Sequence, residues 1–528
     1  MSGSVEGATE PFAARLSALV ARNASARPDA PAVTDDAGTL TWAGFAERVA
    51  GFSKQLAALG VERGSLVALW LPNGGDYLVA IFAVARRGAV AVHVNTRFGA
   101  AEVGDLLDRS GAAVLVTRSR FAPVDFLGLL GRVQLARLRT VLCFGPAPRS
   151  VGGLPVVAAR CDGTAPDLSE PDAPCLTYTT GGTTARPKLV VHNQRSIARH
   201  GGEVRDRIGI ARDGAALLAV VPFCGTFGNA AAMAAVAGGA HIVCMDAFDP
   251  DRADALIRRH RVSHLVGDDR MLDRLAASAL DGAGPHDSIE FFGTAAFSPE
   301  AEQACRLGVR AGLRPVAIYG SSEVQALFAI GDPAKEGWGA VMPVSPDAEF
   351  DVAGPDRGEL RIRAPSLFEG YLDDPAATEA AKSADGWFRT GDLAEREGGG
   401  FIFHGRTGDV LRLGGFLVSP LEIEAFLQLQ PGVAAAQVVG VETARGTAAF
   451  AFILPTPDAV VDEADLLRTC RESLARHKVP VRAVPVDYFP TSNGPNGPKI
   501  SRAELRRQAQ ATLSQPSEKE TACTSASS

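Results

Sequence analysis

Residues 177–188 have the sequence Thr-Tyr-Thr-Thr-Gly-Gly-Thr-Thr-Ala-Arg-Pro-Lys, with two glycines, five threonines and a closing lysine. An apolar lead precedes this stretch and Leu189-Val-Val191 follows it, which predicts a loop between two strands. Its backbone N–H groups, hydroxyls and cation are groups that bind phosphates in proteins. It is not a Walker A loop, because no glycine precedes Lys188 and no serine or threonine follows it. Taken alone, the same composition also fits a flexible turn.

The residues on the N-terminal side of this loop alternate between helix and strand patterns. Thr41 is placed to cap a helix in which apolar residues recur at helical spacing over 45–59. A short apolar run at 66–71 predicts a buried strand, and a second helix and a second strand follow by residue 94. Similar alternation recurs between residues 215 and 316. Helices that alternate with strands in this way require crossover connections, which predicts mostly parallel sheets covered by helices.

Beyond residue 350 the pattern changes to short alternating segments separated by Gly, Asp and Pro, which is typical of small antiparallel sheets. After residues 404–409 a different module follows, in which Ser419 is placed to cap a helix. Two strands at 433–441 and 447–454 and a helix at 463–476 complete it.

The predicted fold class is therefore α/β. It has a large N-terminal domain of parallel helix-covered sheets plus a small antiparallel barrel-like subdomain, and a small α+β C-terminal domain. The predicted boundaries are 10–406 for the first domain and 407–508 for the second. The tail at 509–528 is rich in Ser, Thr, Gln and Lys and is expected to be disordered.

Composition excludes several classes of protein. Hydrophobic residues make up 46% of the 528 residues and charged residues 21%, so disorder of the whole chain is excluded. The net charge is −7 and no basic stripe is present, which argues against a nucleic-acid partner. The eight cysteines lack metal-ligand spacing. No secretory signal and no stretch long enough to cross a bilayer is visible, so a soluble, cytoplasmic protein without a transmembrane segment is expected.

Five further motifs follow the loop in order. They are Phe292-Gly-Thr-Ala-Ala-Phe-Ser-Pro-Glu300, Tyr319-Gly-Ser-Ser-Glu323, Trp387-Phe-Arg-Thr-Gly-Asp392, Gly405-Arg406 with Val418-Ser-Pro-Leu-Glu-Ile-Glu424, and Asn496-Gly-Pro-Lys-Ile-Ser-Arg-Ala-Glu-Leu505. Together with residues 180–189 they resemble the ordered motifs of the adenylate-forming superfamily, which includes acyl-CoA synthetases, stand-alone adenylation domains and firefly luciferase. The resemblance spans residues 10–508. The chain departs from the usual pattern at Gly181, Ala185 and Leu189, and at Pro498, which is inserted before Lys499.

The resemblance implies a site for ATP and Mg²⁺. In the family the tyrosine matched by Tyr319 stacks on adenine, a hydroxyl residue of the same motif touches the phosphate, the residue matched by Glu323 holds magnesium, and that matched by Asp392 binds both ribose hydroxyls. Lys499 matches the catalytic lysine of a small mobile domain, and Arg406 adjoins the hinge. The implied nucleotide-binding residues are Thr180, Gly181, Gly182, Thr183, Thr184, Lys188, Thr294, Ala295, Tyr319, Gly320, Ser321, Ser322, Asp392, Arg406 and Lys499, with Glu323 and Lys499 catalytic and Glu323 the metal ligand.

The resemblance places the acyl pocket next to residues 221–228, Val-Pro-Phe-Cys-Gly-Thr-Phe-Gly. Gly225 stands where the family usually has a histidine or an aromatic gate, and the loss of bulk suits a larger or ring-bearing acid. Amino-acid-activating relatives carry an aspartate near this point, and none lies between residues 220 and 240, which argues against an α-amino acid. The implied lining is apolar, as suits a fatty or aromatic carboxylate: Phe223, Gly225, Phe227, Ala296 and Leu327.

Three functions follow from this resemblance. The first is an acid:CoA ligase, which forms an acyl-adenylate from ATP and a carboxylic acid and passes the acyl group to coenzyme A. The second is an amide-forming ligase of secondary-metabolite (antibiotic) biosynthesis, with an amine as acceptor. A non-catalytic nucleotide-binding relative is disfavoured, because Lys499, Glu323 and Asp392 are all present. The sequence leaves open which acid is used, which acceptor, the oligomeric state, and whether Ala185 and Gly408 alter ATP affinity or domain rotation.

Overall fold

The computed structural model describes residues 13–514, except 120, 122–123, 181–186, 296–300, 332–340, 355–356, 407–410, 415, 419, 458 and 495–496. Contacts within the chain define two compact units. Apart from those gaps, the first unit comprises 13–96, 103–179 and 189–406. The second comprises 97–102, 180, 187–188 and 411–514.

The described residues before 407 form twenty-two strands. They are β1 (Pro31–Asp35), β2 (Gly38–Thr41), β3 (Leu66–Trp70), β4 (Val90–His93), β5 (Val114–Arg118), β6 (Thr140–Phe144), β7 (Ser150–Val151), β8 (Leu154–Ala158), β9 (Pro174–Thr180), β10 (Lys188–Asn193), β11 (Ala216–Ala219), β12 (His241–Cys244), β13 (His264–Asp268), β14 (Phe291–Ala295), β15 (Pro315–Ser321), β16 (Gln325–Ile330), β17 (Met342–Pro343), β18 (Glu349–Ala353), β19 (Arg357–Arg363), β20 (Gly370–Tyr371), β21 (Phe388–Glu397) and β22 (Gly400–Arg406).

Eleven helices lie in the same part of the described chain. They are α1 (Leu16–Ala26), α2 (Trp42–Ala58), α3 (Gly75–Arg86), α4 (Ala100–Ser110), α5 (Phe126–Leu130), α6 (Gln194–Ile208), α7 (Thr226–Gly238), α8 (Pro250–His260), α9 (Asp269–Asp281), α10 (Ala301–Arg310) and α11 (Pro375–Ala381). The predicted cap of α2 is present, because the hydroxyl of Thr41 accepts a hydrogen bond from the N–H of Gly44 at 3.2 Å.

Two large sheets form the frame of the first unit. One has nine strands in the order β20-β10-β9-β4-β3-β5-β6-β8-β7, and the other has eight in the order β16-β15-β14-β13-β11-β12-β1-β2. The pairs β3–β4, β3–β5 and β4–β9 are parallel in the first, as are β11–β12, β13–β14 and β14–β15 in the second. Every residue of β4 and of β11 is buried. Helices α3 and α7 are buried at all but two of their positions, which confirms the prediction of parallel sheets covered by helices.

A third, antiparallel sheet follows in the first unit. Its five strands are ordered β17-β22-β21-β19-β18, and its apolar face contributes Leu360, Ile362, Phe388 and Phe401 to one buried cluster. The change in sequence pattern near residue 350 therefore predicted the small antiparallel sheet correctly.

The second unit contains a small α+β core. Its elements are β23 (Leu411–Leu413), β24 (Phe416–Val418), α12 (Pro420–Gln428), β25 (Val433–Thr443), β26 (Gly446–Pro455), α13 (Glu463–Ser473), a 3₁₀ turn (Arg476–Lys478), β27 (Arg482–Pro485), β28 (Thr491–Gly494), β29 (Gly497–Ile500) and α14 (Arg502–Ser514). Helix α13 ends three residues before the predicted end at 476, where Leu474 becomes extended and buried.

The chain does not become disordered at residue 509, as the composition had predicted. Helix α14 continues to Ser514, and Leu505 and Ala509 are both fully buried beside Phe450 and Phe452. Burial of this apolar edge stabilises the helix despite its polar composition. Residues 515–528 lie outside the described part. Among the described residues, none of the helices combines the length with the low charge that crossing a bilayer requires.

Candidate nucleotide and acyl site

The predicted site residues of the first unit gather at the carboxyl ends of parallel strands. Strands β14 and β15 are parallel neighbours, with Thr294 opposite Ala317 in the ladder. Thr294 and Ala295 therefore end β14 beside the segment in which Tyr319, Gly320 and Ser321 end β15. This edge is the usual ligand-binding edge of open parallel sheets.

Tyr319 and Asp392 are in direct contact. The Tyr319 O–H donates a hydrogen bond to Oδ2 of Asp392 at 2.6 Å, and both side chains are buried. The tyrosine ring packs against Phe401, with 5.1 Å between ring centroids, and against Phe403 at 5.7 Å. The Asp392 N–H donates to the hydroxyl of Thr390 at 3.0 Å. The aromatic ring and the carboxylate expected to hold adenine and ribose are thus joined by one short hydrogen bond.

Glu323 is held by a tyrosine. The Tyr371 O–H donates to Oε1 of Glu323 at 3.0 Å, and the Glu323 carbonyl oxygen accepts from the Phe368 N–H at 2.8 Å. Among the described residues, no lysine or arginine pairs with this largely buried carboxylate. Magnesium bound with nucleotide phosphates needs one or two protein carboxylates rather than a full cage of side chains. An un-neutralised, oriented carboxylate fits that requirement, and no described cluster of three or more metal-binding side chains competes with it.

The loop that carries Glu323 is fixed from several sides. His192 on β10 donates its Nε2–H to the Ser322 carbonyl oxygen at 2.7 Å. Strand β20 pairs with β10, which sets Tyr371 opposite Val190. A Cβ atom at Gly320 would lie only 2.4 Å from the carbonyl oxygen of Gln325, so the close approach of these segments requires glycine.

Histidines near the site are neutral and bonded to the backbone. Burial lowers the pKa of His192 to about 4 and also lowers the pKa of His200 and of His264. His200 Nε2 bonds to the Ala326 carbonyl oxygen at 2.7 Å, and His264 Nε2 bonds to that of Ile208 at 2.8 Å. These contacts provide no reason to assign the three histidines to acid–base catalysis.

The predicted acyl residues surround the start of α7. Phe223 is fully buried and meets the ring of Tyr77 edge-on at 5.8 Å. Asn73 holds the preceding segment: its Oδ1 accepts from the Phe223 N–H at 2.8 Å, and its amide nitrogen donates to the Val221 carbonyl oxygen at 2.8 Å. Leu327 is buried in the same apolar cluster as Phe223, and Phe227 packs against that cluster. Gly225 caps α7 in an extended conformation.

Strand β16 beside this region has an unusual backbone. Gln325 and Leu327 adopt φ angles of +67° and +64°, in the left-handed region that branched and long side chains rarely occupy. The side-chain amide nitrogen of Gln325 donates to the carbonyl oxygens of Ser196 and Ser366 at 3.2 and 3.1 Å. These two hydrogen bonds stabilise the backbone conformation of Gln325. Local strain of this kind persists where surrounding contacts enforce it and is frequent at functional sites.

Several predicted site residues are not described, or are described by their backbone alone. Gly181, Gly182, Thr183, Thr184 and Ala296 lie outside the described residues. The backbone alone is described for Thr180, which ends β9, for Arg406, which ends β22 opposite Asp392, and for Lys499 on β29. Lys188 begins β10. The roles of these residues stay predictions.

Tyr371 and Asn73 make contacts that the sequence analysis did not predict. The resemblance to the family extends to Gly370-Tyr371 but implies no role for Tyr371, and Pro72-Asn73-Gly74 is typical of an ordinary turn. Only the burial of their polar side chains distinguishes Tyr371 and Asn73 from ordinary turn and surface residues. That burial depends on residues far away in the chain.

Comparison with known proteins identifies the family of the chain. The AMP-binding enzyme family matches residues 20–372, and the AMP-binding enzyme C-terminal domain matches residues 422–494. The 3-[(3aS,4S,7aS)-7a-methyl-1,5-dioxo-octahydro-1H-inden-4-yl]propanoyl:CoA ligase of Mycobacterium tuberculosis is 32% identical over 501 residues, 91% of this chain and 96% of that protein. A feruloyl-CoA synthase of an Amycolatopsis species is 30% identical over 506 residues, 92% and 97% of the two chains.

Solved structures share the fold. An o-succinylbenzoate CoA synthetase from Bacillus subtilis superimposes with a TM-score of 0.79 at 23% identity, over 93% of this chain and 98% of that one. An amide bond synthetase from Marinactinospora thermotolerans gives 0.79 at 24%, over 93% and 99%. The family match covers more than half of the chain, and the predicted superfamily is confirmed. The chain therefore belongs to the AMP-binding enzyme family and is a ligase.

Proposed function

We propose that this ligase is an acid:CoA ligase that acts on a hydrophobic, ring-bearing carboxylic acid. The acid's carboxylate oxygen attacks the α-phosphorus of ATP, and pyrophosphate leaves with the electrons of the broken P–O bond. The thiol sulfur of coenzyme A then attacks the acyl carbon, loses its proton, and displaces AMP. The observation that carries the nucleotide half of this proposal is the short Tyr319–Asp392 hydrogen bond beside the motif that presents Glu323.

Each of these residues has a role that its environment supports. The Tyr319–Asp392 pair would orient the nucleoside, because a carboxylate can accept two ribose hydroxyls and an aromatic ring can stack on a base. Glu323, fixed by Tyr371, would hold the magnesium ion that accompanies ATP, and that ion supplies charge neutralisation at the phosphates. Carboxylate attack on a phosphate depends mainly on positioning and electrostatic stabilisation. The reaction therefore does not need a charged histidine as an acid or a base.

The acid and acceptor are inferred from the relatives and from the lining. Curated relatives named for coenzyme A products of ring-bearing acids include the Mycobacterium tuberculosis and Amycolatopsis proteins and an indoleacetate–CoA ligase of Aromatoleum aromaticum at 28% identity. The buried Phe223 and Leu327 and the missing side chain at Gly225 favour an apolar ring. The amide bond synthetase is under 25% identical and shares the fold alone, so amine transfer is an outcome of the test below.

The experiment has two stages. Purified protein is first tested for acid-dependent exchange of pyrophosphate into ATP with aromatic, fatty and α-amino acids. The best acid is then incubated with ATP and either coenzyme A or a panel of amines, and the products are identified by mass spectrometry. We expect exchange with ring-bearing acids and an acyl-CoA product. Exchange with α-amino acids alone, or an amide formed in preference to the thioester, would contradict the proposal.

The Lys499→Ala variant separates the two chemical steps. Family resemblance assigns the ammonium group of Lys499 to the adenylation step, where charge develops between the carboxylate and the α-phosphate. The variant should therefore lose acyl-adenylate formation but still pass the acyl group of presynthesised acyl-adenylate to coenzyme A. Lys54→Ala, which changes an exposed lysine, is the matched control.

A further inference from the structure

Four aromatic side chains form a buried column in the first unit. They are Tyr77 at the start of α3, His93 at the end of β4, Tyr178 on β9 and His192 on β10. The His93 ring stacks between those of Tyr77 and Tyr178, at centroid distances of 5.7 and 5.5 Å, and Tyr178 meets His192 at 5.7 Å. No side chain of this ring column is more than 1% exposed.

Most polar atoms of the ring column have partners. The Tyr178 O–H donates to Oδ1 of Asn229 at 2.8 Å, and His192 Nε2 donates to the Ser322 carbonyl oxygen. The hydroxyl of Tyr77 and Nδ1 of His93 share a hydrogen bond of 2.7 Å. His93 Nε2 is buried and has no hydrogen-bond partner among the described residues.

The proton of the Tyr77–His93 pair can be placed by counting donors. If His93 Nδ1 carried the proton, both the Tyr77 O–H and the bare Nε2 would lack a partner. If Tyr77 donates to Nδ1, only one hydrogen-bonding group of the pair lacks a partner, the Nε2–H of His93. Burial lowers the pKa of His93 to about 3, so the ring carries one proton at neutral pH. The second arrangement is therefore favoured, and it leaves a buried N–H donor in need of an oxygen acceptor.

This feature separates His93 from His192 and His200, the buried histidines nearest the site. In His192 and His200 the Nε2–H already donates to a carbonyl oxygen, and the atom without a partner is the weaker acceptor Nδ1. A buried donor without a partner costs about 1–3 kcal/mol, so native proteins rarely leave one unmatched.

The ring column adjoins the segment assigned to the acyl pocket. Tyr77 contacts the ring of Phe223, and Asn229, which accepts from Tyr178, donates to the Phe223 carbonyl oxygen at 3.4 Å. His93 ends β4 next to β9, at the carboxyl edge of the nine-stranded sheet. Through Tyr77 and Asn229, the ring column thus contacts the segment that the family resemblance assigns to the acid, while the described residues offer His93 Nε2 no acceptor.

We propose that His93 is a specificity-determining residue whose Nε2–H donates a hydrogen bond to an oxygen at the distal end of the acid. The acid would be a hydrophobic, ring-bearing carboxylate that carries a hydroxyl, ether or ketone oxygen far from its carboxylate. This inference rests on the proposed function and narrows its substrate class. A site that must pair a buried polar group discriminates strongly against analogues that lack the partner.

The test uses pairs of acids that differ only in the distal oxygen. Suitable pairs are 4-hydroxycinnamate with cinnamate and 3-(4-oxocyclohexyl)propanoate with 3-cyclohexylpropanoate. The ratio of kcat/KM within each pair is measured from pyrophosphate release. We expect the wild-type protein to favour the oxygen-bearing member of at least one pair by about 10-fold or more, which matches the cost of an unpaired donor.

Two variants show whether His93 causes the preference. The double variant Tyr77→Phe with His93→Phe keeps both rings and removes both hydrogen-bonding partners, a change that is often nearly neutral for stability. It should reduce the preference to about 2-fold or less, mainly through KM. The matched control, Tyr178→Phe, removes the hydrogen bonds of Tyr178 to Asn229 and Thr226 but leaves Tyr77 and His93 unchanged, and it should keep the wild-type ratio.

The outcomes are distinct. If pyrophosphate is released but neither pair of acids is discriminated, the assignment of His93 is overturned and the proposed function stands. The same holds if the double variant keeps the wild-type preference. Absence of release with every acid overturns the proposed function and this assignment with it. If the double variant does not fold, the wild-type comparison within the pairs decides.

Discussion

At the scale of single residues, Glu323 is the proposed ligand of magnesium. Its carboxylate is largely buried, is oriented by the Tyr371 hydroxyl at 3.0 Å, and forms no ion pair with a lysine or arginine in the described part of the chain. Its charge is therefore available to a ligand, and Tyr371 contributes orientation without neutralising it.

Glu323→Gln should lower the rate of adenylation by at least about 10²-fold, because the shape is kept and the charge is lost. Pyrophosphate exchange measured over a magnesium titration checks this expectation. Tyr371→Phe is the matched control: it removes the orienting hydroxyl but leaves the charge, and it should cost less than about 10-fold. An unchanged rate in Glu323→Gln at saturating magnesium would show that another group holds the ion.

At this scale the sequence predicted the residues that recur in ordered motifs. The motifs singled out Tyr319, Glu323 and Asp392, and the structure joins Tyr319 to Asp392 across 73 positions, while their roles toward ATP and magnesium stay predictions. The supporting contact from Tyr371 could not be predicted, because it spans 48 positions and no local pattern encodes it. A hydrogen bond between distant residues becomes visible only when the sheets that carry them are in place.

Elements with strong periodicity were also predictable. The apolar face and cap of α2 appear directly in the sequence, and the structure confirms them. Helix α14 was missed because its buried residues, Leu505 and Ala509, are few and one of them is small, so a polar composition concealed the four-residue spacing. Composition alone overestimates disorder where a short helix needs only a narrow apolar edge.

Ala509→Asp tests whether this last helix is part of the folded second unit. The change places a charge at a fully buried position beside Phe450 and Phe452, and it should destabilise the unit by at least about 2 kcal/mol. Thermal unfolding followed by circular dichroism measures the effect. Gln508→Asp, one residue earlier and exposed, should leave the unfolding midpoint within about 1 °C. Equal midpoints for the two variants would mean that α14 does not contribute to stability.

At the scale of the whole molecule, the burial of histidine side chains lowers stability in acid. Eight of the nine histidines have a lowered pKa, and burial is the largest cause for each: His93, His192, His200, His241, His260, His264, His286 and His477. The unfolded chain binds protons at these rings near pH 6.5, whereas the folded chain binds them only at lower pH. Folding is therefore penalised as the pH falls through this window.

We expect the thermal midpoint to decrease steadily as the pH falls from about 6.5 towards 4. Two carboxyls with a raised pKa, Glu102 and Glu424, act in the opposite direction near the lower end of this window, but they are fewer. Scanning calorimetry in buffers of constant ionic strength provides the measurement. His192→Gln should make the decrease shallower, since its lowered pKa of about 4 is removed. A midpoint that stays constant between pH 7 and 4.5 would contradict the expectation.

Asn73 has a consequence for how this enzyme can acquire new substrates. Its side chain leaves the turn after β3 of one sheet and bonds to the carbonyl oxygens of Ala219 and Val221 and to the N–H of Phe223, which follow or end β11 of the other sheet. Because three hydrogen bonds join the two sheets at this point, we expect them to resist separation there when a longer acid binds. A change of substrate range would then come from substitutions of side chains that line the acyl pocket. Directed evolution of this protein should therefore accumulate substitutions at the pocket while Asn73 stays constant.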